Sequence, residues 1–464
     1  MEMKNQKTIS EQLAEKVVAL RYSDLPELAR KHARILILDM LGNMIGSKRV
    51  ESSRIAAKLA LEMGGPREST VIGYRKKVSA PVAAFANAIQ SYAFDFADDQ
   101  NSSNCHPSVA TIPGSLALGQ KLHSTGQEII TAVALGNEVV CRLGTAFLGK
   151  TYYQGFHPSS TCGVFGTAVS AAKLLKLDEA KTVSSLGIAG SQSGGLMEWN
   201  ADGSIVKRLQ AGHPSMCGLM SGLLAEKGFH GPRTIIEGDS GFLNAYSFKR
   251  QYDKKVITQD FGRSWLFAES SIKAYPCCRY SGGHIDACIE IADKHRPDPK
   301  QIKKIKIRSS DYTLRLLTLP LERKLHPTTT VDAQFSMPYQ AVAALIDGKV
   351  NVDTFTEKYF TRPSALALIP RVEWTVDKEF ERRYPEQYSC SVTVIMNDGK
   401  EFTSTIDNPK GDFRNPMTQK DIIEKFSRLV RRVTRDEGKI KNLVNFVMKL
   451  ETAKDINDLF SLLP

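Results

Sequence analysis

Apolar residues recur at helical spacing in segment after segment over roughly the first 265 residues of the chain. Two of these segments, residues 163–175 and 184–197, consist mainly of Gly, Ala and other small side chains. A helix of small residues is usually central, because its neighbours can approach it closely. Strand signals are weak here, as at Val71-Ile72-Gly73. The pattern predicts helices over residues 11–20, 25–45, 81–96, 129–143 and the two small-residue segments.

A different pattern begins after about residue 270. Residues 303–307 alternate between apolar and polar side chains, as in a strand. Residues 391–396 and 402–406 flank Asn397-Asp398-Gly399, and this arrangement is typical of a β-hairpin. Residues 333–345 are predicted to form a helix between these strands. This part of the chain therefore has mixed α+β character.

Helical spacing returns near the C-terminus, where Thr418 and Asp421 have the spacing of a helix N-cap and its acidic partner. A chain of 464 residues is too long for one ordinary core, so two domains are expected. The sequence predicts a mainly α fold. Both chain ends, residues 1–268 and 408–464, form a helical domain, and an α+β domain, residues 269–407, is inserted between them.

The composition, with 42% hydrophobic and 24% charged residues, is ordinary for a soluble globular protein. No apolar run reaches the length of a membrane span, and the nearest candidate, residues 35–45, is interrupted by Asp39. Residues 1–10 contain Glu2 and have no apolar core, unlike a targeting segment. We therefore expect a cytoplasmic protein that does not bind membranes.

A net charge of +12 and a pI near 9.2 make nucleic-acid binding a class to consider. The basic residues are dispersed, however, and no recognised nucleic-acid motif occurs, so we expect a solvated surface that attracts anionic substrates. The eight cysteines show no CxxC pairs and no Cys/His ligand spacing. Free thiols are expected, and no metal or iron–sulfur site.

Lys207 and Arg208 are adjacent cations in a segment, residues 203–213, that is rich in small residues. Small residues let a ligand approach the backbone, and fixed cations there suit a small anion. Two histidines, His106 and His157, each precede a proline and supply titratable groups for acid–base chemistry. The alternative interpretation is that these are surface cations and structural histidines.

Further candidate groups surround these residues. Asp95, Asp98 and Asp99 lie shortly before His106, although they could also be capping aspartates of a polar loop. After His157, a helix capped by Ser159, Ser160 or Thr161 would favour an anion at its N-terminus.

Two later segments carry candidates as well. Lys273, Cys278 and Arg279 fall at the predicted domain junction, where clefts often form. The segment from Asp332 to Tyr339 could simply begin a helix, with Tyr339 as a core aromatic residue that makes one hydrogen bond.

Taken in order, these segments resemble the MmgE/PrpD family, which includes 2-methylcitrate dehydratases, cis-aconitate decarboxylases and iminodisuccinate epimerases. The likeness spans nearly the whole chain, and five motifs in register make it specific. They are Leu36-Ile37-Leu38-Asp39-Met40-Leu41-Gly42, His157-Pro158, Val206-Lys207-Arg208-Leu209-Gln210-Ala211-Gly212, Tyr275-Pro276-Cys277-Cys278 and Ala333-Gln334-Phe335-Ser336. The resemblance implies a helical domain with a lid domain, an active site between them, a homodimer, and catalysis without metal or organic cofactor.

The resemblance also implies the site residues. The family's active-site histidines fall on His106 and His157, its lysine on Lys207 and its tyrosine on Tyr339. Lys273 matches on the lid side of the cleft.

Two departures from the family pattern matter. The acidic motif usually reads Asp-Phe-Asp-Asp-Thr, whereas here it reads Asp95-Phe96-Ala97-Asp98-Asp99-Gln100. Either Asp95 or Asp98 could face the substrate, and Gln100 takes the place of the threonine as a candidate for substrate binding. Animal-type cis-aconitate decarboxylases carry a histidine where this chain has Cys278, which counts against that activity.

We expect proton transfer at a carbon next to a carboxylate, a step that needs cations where negative charge develops. Lys207, helped by Arg279 or Lys273, would hold substrate carboxylates, with Arg208 and Cys278 also at the binding site. His106 would be the general acid or base, because its reference pKa lies near working pH.

His157 and Tyr339 would deliver a proton to a leaving hydroxide or to carbon, while the nearby aspartate orients His106. The expected activity is dehydration of a 2-methylcitrate-like hydroxy acid. Decarboxylation of the cis-aconitate type and epimerisation of the iminodisuccinate type share the same carbanion-like step and stay open. The non-enzyme alternative is a carboxylate-binding or scaffold protein.

Overall fold

A computed structural model describes residues 7–464 of the chain. Residues 1–6 lie outside the described residues. They make up most of residues 1–10, the segment from which we predicted that the chain has no targeting signal. Of the structure, 60% is helical and 9% is in strands, which confirms a mainly α fold with an α+β portion.

The α-helices and strands have the following bounds. The α-helices are Ile9–Ala19, Glu27–Gly46, Glu51–Met63, Ala80–Tyr92, Ser108–Leu122, Gly126–Ala146, Pro158–Leu174, Glu179–Gly190, Trp199–Asp202, Leu209–Glu226, Phe242–Tyr246, Lys255–Thr258, Gly282–His295, Asp311–Thr318, Leu321–Leu325, Thr330–Gln334, Met337–Asp347, Glu357–Phe360, Pro363–Leu366, Lys378–Arg383, Gln419–Val430, Glu437–Met448 and Asn457–Ser461. The strands are Ser69–Val71, Lys76–Val78, Ile302–Ser309, Val372–Val376, Cys390–Met396 and Glu401–Ile406.

The small-residue helix Pro158–Leu174 is central, as its composition predicts. Every residue in it except Lys173 is buried. A Cβ atom added at Gly166 would lie 2.7 Å from the carbonyl oxygen of Gly136 in the neighbouring helix. The absence of side chains at these positions therefore brings the two helix backbones together.

The helix Gly126–Ala146 is long and apolar enough to cross a membrane, so the expectation that no segment reaches this length is wrong. In the structure, 94% of its most apolar window is buried inside the protein. Its apolar character follows from packing on all sides in the helical core.

Two of the long helices that were not predicted are Ser108–Leu122 and Leu209–Glu226. Each contains an internal proline, Pro113 or Pro214, and proline normally argues against a helix interior. Both helices pack closely against Pro158–Leu174. Burial in the core compensates for the backbone hydrogen bond that each proline removes.

The C-terminal part packs back on the N-terminal helices. Thr418 and Asp421 form the predicted capping box at the start of Gln419–Val430. A Cβ atom at Gly46 would lie 2.8 Å from the carbonyl oxygen of Leu429, so this helix approaches Glu27–Gly46 closely.

The α+β part contains a four-stranded sheet. Ile302–Ser309 pairs in parallel with Val372–Val376 and antiparallel with Cys390–Met396, which in turn pairs with Glu401–Ile406 as the predicted hairpin. The edge strand Val372–Val376 was missed, although its alternating sequence, Val-Glu-Trp-Thr-Val, carries the signal for a strand.

The predicted helix over residues 333–345 is interrupted. One short helix ends at Gln334 and the next, Met337–Asp347, begins after Ser336, whose hydroxyl accepts the backbone N–H of Tyr339 at 3.1 Å. The local cap and Pro338 start a new helix instead of continuing the old one.

Two hydrophobic cores result. One draws residues from positions 9–272 and 422–463, and the other from positions 277–396 together with Trp199. The domain boundaries at 268/269 and 407/408 stay predictions.

Lys425 joins the C-terminal helix to three other segments. Its Nζ lies 2.7 Å from the Asp39 carboxylate and donates to the backbone carbonyls of Phe96 and Lys273 at 2.8 and 3.1 Å. Both charged side chains are about 1% exposed, and burial raises the pKa of Asp39 and lowers that of Lys425. The three oxygen acceptors therefore replace the water molecules that would otherwise solvate the Lys425 ammonium.

We predict that Asp39→Ala lowers the free energy of unfolding by about 3–5 kcal/mol, because it leaves the Lys425 charge buried without its partner. Urea unfolding followed by circular dichroism measures the change. The double variant Asp39→Ala/Lys425→Met should recover most of the loss. A cost below about 1 kcal/mol for Asp39→Ala would show that the buried pair does not hold these segments.

Candidate active site

A narrow cavity lies between the helical part and the α+β part. Its polar lining consists of Asp95, Asp99, His106, His157, Lys207 and Arg279. Only about 20 Å³ is open to a molecule of the size of water. That is room for about one water molecule, so a larger ligand requires the surrounding groups to move.

Asp95 anchors the cavity wall. It follows the helix Ala80–Tyr92 and adopts a left-handed backbone conformation, with φ of 54°, which is unfavourable for a residue with a side chain. Lys207 Nζ lies 2.6 Å from one of its carboxylate oxygens, and Lys273 Nζ lies 2.8 Å from the other. Burial favours the protonated acid, but Lys207, Lys273 and Arg208 outweigh it and hold the pKa of Asp95 well below its usual range.

Lys207 lies in a short 3₁₀ turn, Ile205–Arg208, that leads into the next helix. Its Nζ is 4.2 Å from the centre of the Tyr92 ring and 4.9 Å from that of Phe335. Burial, which Asp95 offsets only in part, lowers the pKa of Lys207 to about 7. One carboxylate cannot neutralise several cations, so Lys207 releases its proton more readily than an exposed lysine.

His106 is held in one tautomer. Its Nδ1 lies 2.8 Å from the backbone carbonyl oxygen of Asp98 and 3.4 Å from a carboxylate oxygen of Asp99. The backbone carbonyl only accepts, so Nδ1 carries the ring proton and Nε2 has a free lone pair. Burial, together with Lys273 and Lys207, lowers the pKa of His106 well below its usual range. His106 is therefore a neutral proton acceptor.

His157 precedes the helix Pro158–Leu174, which begins before the predicted serine and threonine caps. Ser159 instead accepts the backbone N–H of His106 at 2.8 Å and so links the two histidine segments. Burial lowers the pKa of His157 to about 3.

The Nδ1 atom of His157 is buried without a partner among residues 7–464. An unpartnered acceptor costs less than an unpartnered N–H, so the proton belongs on Nε2. The rings of His157 and His106 lie 6.3 Å apart. The cavity therefore contains one neutral imidazole as acceptor and one as donor.

Of the two aspartates left open by the sequence, Asp95 lines the cavity and Asp98 does not. Asp98 accepts a hydrogen bond from Ser108 at 2.9 Å, and burial raises the pKa of Asp98 to about 8. The backbone carbonyl of Asp98, and not its carboxyl group, orients His106. The next residue, Asp99, which the sequence analysis named as a candidate without giving it a role, also lines the cavity. Burial raises the pKa of Asp99 to about 6.

Gln100, Arg208 and Lys273 lie behind the cavity lining. The Gln100 side chain accepts the backbone N–H of Ser103 at 2.8 Å. Arg208 donates to Gln334, and Lys273 donates to Asp95. Each of these three predicted substrate ligands therefore makes a hydrogen bond within the protein, Gln100 with a backbone N–H and the two cations with side-chain oxygens.

Cys278 and Arg279 line the cavity from the α+β side. Burial raises the pKa of the Cys278 thiol to about 12, so the thiol is neutral. Arg279 pairs with Asp412 at 2.8 Å, while its Nε has no partner among residues 7–464. The guanidinium can therefore donate a hydrogen bond from Nε to a ligand oxygen.

Tyr339 is not brought to the cavity, which corrects its predicted catalytic placement. Its hydroxyl donates to the backbone carbonyl of Thr354, and its ring packs against Phe355 and Phe360 in the α+β core. This is the core aromatic with one hydrogen bond that the sequence left as the alternative.

Most of the remaining cavity wall is apolar or aromatic and was not predicted. It consists of Tyr152, Met197, Trp199, Tyr280, Leu316 and Phe335. These residues come from distant segments, and single aromatic residues in such segments look the same as ordinary core residues. Only the tertiary structure brings them together.

Comparison with known proteins identifies the family. The MmgE/PrpD N-terminal domain matches residues 11–255 and the C-terminal domain matches residues 275–448. The chain belongs to the MmgE/PrpD family.

Several characterised relatives are similar over almost their full length. A cis-aconitate decarboxylase of Homo sapiens is 28% identical, with 98% of this chain and 95% of the relative aligned. A cis-aconitate decarboxylase-like protein of Aspergillus oryzae is 26% identical over 98% and 97%, and a cis-aconitate decarboxylase of Aspergillus terreus is 26% identical over 96% and 93%. Family and relatives together support a lyase-type activity.

We predict that His106 stays neutral, with its proton on Nδ1, from pH 5 to pH 8. The carbonyl of Asp98 fixes this tautomer, and burial disfavours the imidazolium. Nitrogen-15 NMR of the histidine side chains reports tautomer and charge, and His106→Gln identifies the signal. Titration of this signal near pH 6.5 would contradict the structure.

Proposed function

We propose that the chain is a cofactor-independent lyase that acts on a small di- or tricarboxylate by proton transfer at a carbon next to a carboxylate. The observation that carries this proposal is the pair of neutral imidazoles, His106 and His157, that line one narrow cavity with Lys207 and Arg279. An acceptor, a donor and two cations in a water-poor space are what this chemistry needs.

The roles follow from the geometry. Lys207 and Arg279 would bind substrate carboxylates and stabilise the charge that develops as a carbanion forms. His106 Nε2 would take a proton from carbon, and His157 Nε2 would give one. Asp95 would hold Lys207 in place, and the low-polarity wall of Trp199 and Phe335 would strengthen each of these electrostatic contacts.

Decarboxylation of a cis-aconitate-type substrate is the first branch that we propose, because the relatives named above are decarboxylases. In this reaction the bond from carbon to a carboxylate breaks, carbon dioxide leaves, and the electron pair takes a proton. His157 would supply that proton.

Dehydration of a 2-methylcitrate-like hydroxy acid is the second branch. Asp99 Oδ2 and Arg279 Nε lie 4.0 Å apart, and neither has a hydrogen-bond partner among the described residues. A substrate hydroxyl can donate to one and accept from the other. His106 would then remove the proton from carbon. Asp99, whose pKa is raised to about 6, or His157 would protonate the leaving hydroxide.

Four further expectations become part of the proposal. We propose a homodimer in the cytoplasm that binds neither nucleic acid nor membranes. All eight cysteines are buried free thiols, which fits a reducing compartment. We also propose that activity needs no metal. No group of three His, Cys, Asp or Glu side chains within residues 7–464 is arranged to hold one.

Proton NMR in D2O with 2-methylcitrate, citrate, cis-aconitate and iminodisuccinate tests the function. We expect product formation from one of them, and the product identifies decarboxylation, dehydration or epimerisation. Turnover should be unchanged after EDTA treatment. Neither turnover nor deuterium incorporation with any of the four, from a folded sample, would contradict the proposal. Activity lost to EDTA and restored by a metal would contradict metal independence.

We predict that kcat/KM falls as pH rises above about 7. The pKa of Lys207 is lowered to about 7, so the amine is charged below this pH, neutral above it, and then unable to pair with a carboxylate. Lys207→Arg keeps the charge and should abolish this fall. Lys207→Ala should reduce kcat/KM at least about 100-fold below pH 7, where the amine is charged, and by a smaller factor as pH rises. A loss within about threefold below pH 7 would exclude Lys207 from the site.

A further inference from the structure

Trp199 lines the cavity and has an unpartnered N–H group. The residue is 2% exposed and lines the cavity, and its Nε1 has no hydrogen-bond partner among residues 7–464. Its ring meets Phe335 edge-on at 4.9 Å, and Lys207 Nζ lies 5.3 Å from the ring. A buried N–H without a partner is costly, because it has given up its hydrogen bond to water.

The chemistry of an indole restricts what can satisfy this group. Nε1–H only donates, so its partner has to be an acceptor. Arg279 Nε is a second unpartnered donor in the same lining. Two buried donors on residues that line one cavity suit the oxygens of an anionic ligand, which itself needs donors once it leaves water.

The segment that carries Trp199 is attached to the α+β part. Asn200 accepts from Lys324 at 2.9 Å, and the carbonyl of Gly203 accepts from Thr329 at 3.1 Å. Trp199 itself packs in the α+β core, although the neighbouring chain belongs to the helical part. The indole therefore keeps a fixed position relative to the groups of the α+β part that line the cavity.

We propose that Trp199 is a substrate-binding residue whose indole N–H donates to a carboxylate oxygen of the substrate. This inference rests on the proposed function, since it assumes that the cavity takes a polycarboxylate. Lys207 and Arg279 attract the substrate by their positive charge, whereas Trp199 fixes the orientation of one substrate carboxylate. A single N–H beside the faces of aromatic rings donates to one oxygen in one orientation, and so selects how the substrate carboxylates are arranged.

Trp265 offers a matched control. Its Nε1 is also buried without a partner among the described residues, and its ring packs against Phe267 at 5.8 Å. It lies in the helical core and does not line the cavity. Trp265→Phe therefore removes the same group from an equivalent apolar setting away from the ligand.

The test uses tricarballylate, a saturated tricarboxylate with neither a hydroxyl nor a double bond, as a probe that binds without turnover. Isothermal titration should show a Kd about 10- to 100-fold weaker for Trp199→Phe than for the unaltered protein, because a hydrogen bond to a charged group is lost. Trp265→Phe should stay within twofold. A Kd for Trp199→Phe within threefold of the unaltered protein, or equal losses in both variants, would overturn the proposal.

Indole proton NMR of the unaltered protein, labelled with nitrogen-15 in its three tryptophans, is the second measurement. Trp265→Phe and Trp374→Phe assign the Trp199 signal by elimination, even if Trp199→Phe does not fold. Saturating tricarballylate should move the Trp199 proton downfield and leave that of Trp265 in place. An unmoved Trp199 signal, or no binding of tricarballylate at 10 mM, would overturn the proposal.

The two proposals fail in distinguishable ways. A shifted Trp199 signal without turnover of any of the four candidate substrates keeps the carboxylate contact and removes the lyase function. Turnover of one of them with an unmoved Trp199 signal keeps the lyase function and removes Trp199 from the binding site.

Discussion

The site depends on one buried carboxylate, Asp95, that two lysines share. Lys207 comes from the helical part, and Lys273 comes from the chain that enters the α+β part, so the two ion pairs join both parts at the cavity wall. The left-handed backbone at Asp95 costs free energy, and these charge-assisted contacts offset it. Because one negative charge serves several cations, a net positive potential is left over for a substrate. The same imbalance gives Lys207 its lowered pKa.

Exclusion of water from the cavity explains the unusual protonation states around it. A low-polarity environment disfavours the imidazolium form, so both histidines are neutral at physiological pH. Their roles then differ only by tautomer, which neighbouring groups decide. Asp98 places the proton of His106 on Nδ1, whereas the unpartnered Nδ1 of His157 places its proton on Nε2. Acid and base are thus distinguished without charge, and the cations stay free to bind carboxylates.

The connectivity of the chain supports this arrangement. The last helices return to the first ones, and Lys425 reaches between Asp39 and the carbonyls of Phe96 and Lys273. Both of these carbonyls belong to segments that carry site residues. A contact far along the sequence therefore positions Asp95 and Lys273 relative to each other, and stability and site geometry depend on the same buried groups.

Local patterns in the sequence determined much of the protein. Periodicity predicted most long helices, the central small-residue helix and the hairpin, because these depend on neighbours a few residues apart. Motifs picked out Asp95, His106, His157, Lys207, Cys278 and Arg279, all of which line the cavity. The tertiary structure alone decided the rest. It placed Tyr339 in the core, turned Gln100, Arg208 and Lys273 towards partners within the protein, and brought Asp99 and Trp199 to the cavity. The physical reason is that a side chain's hydrogen bonds and burial depend on segments distant in sequence, which no local pattern records.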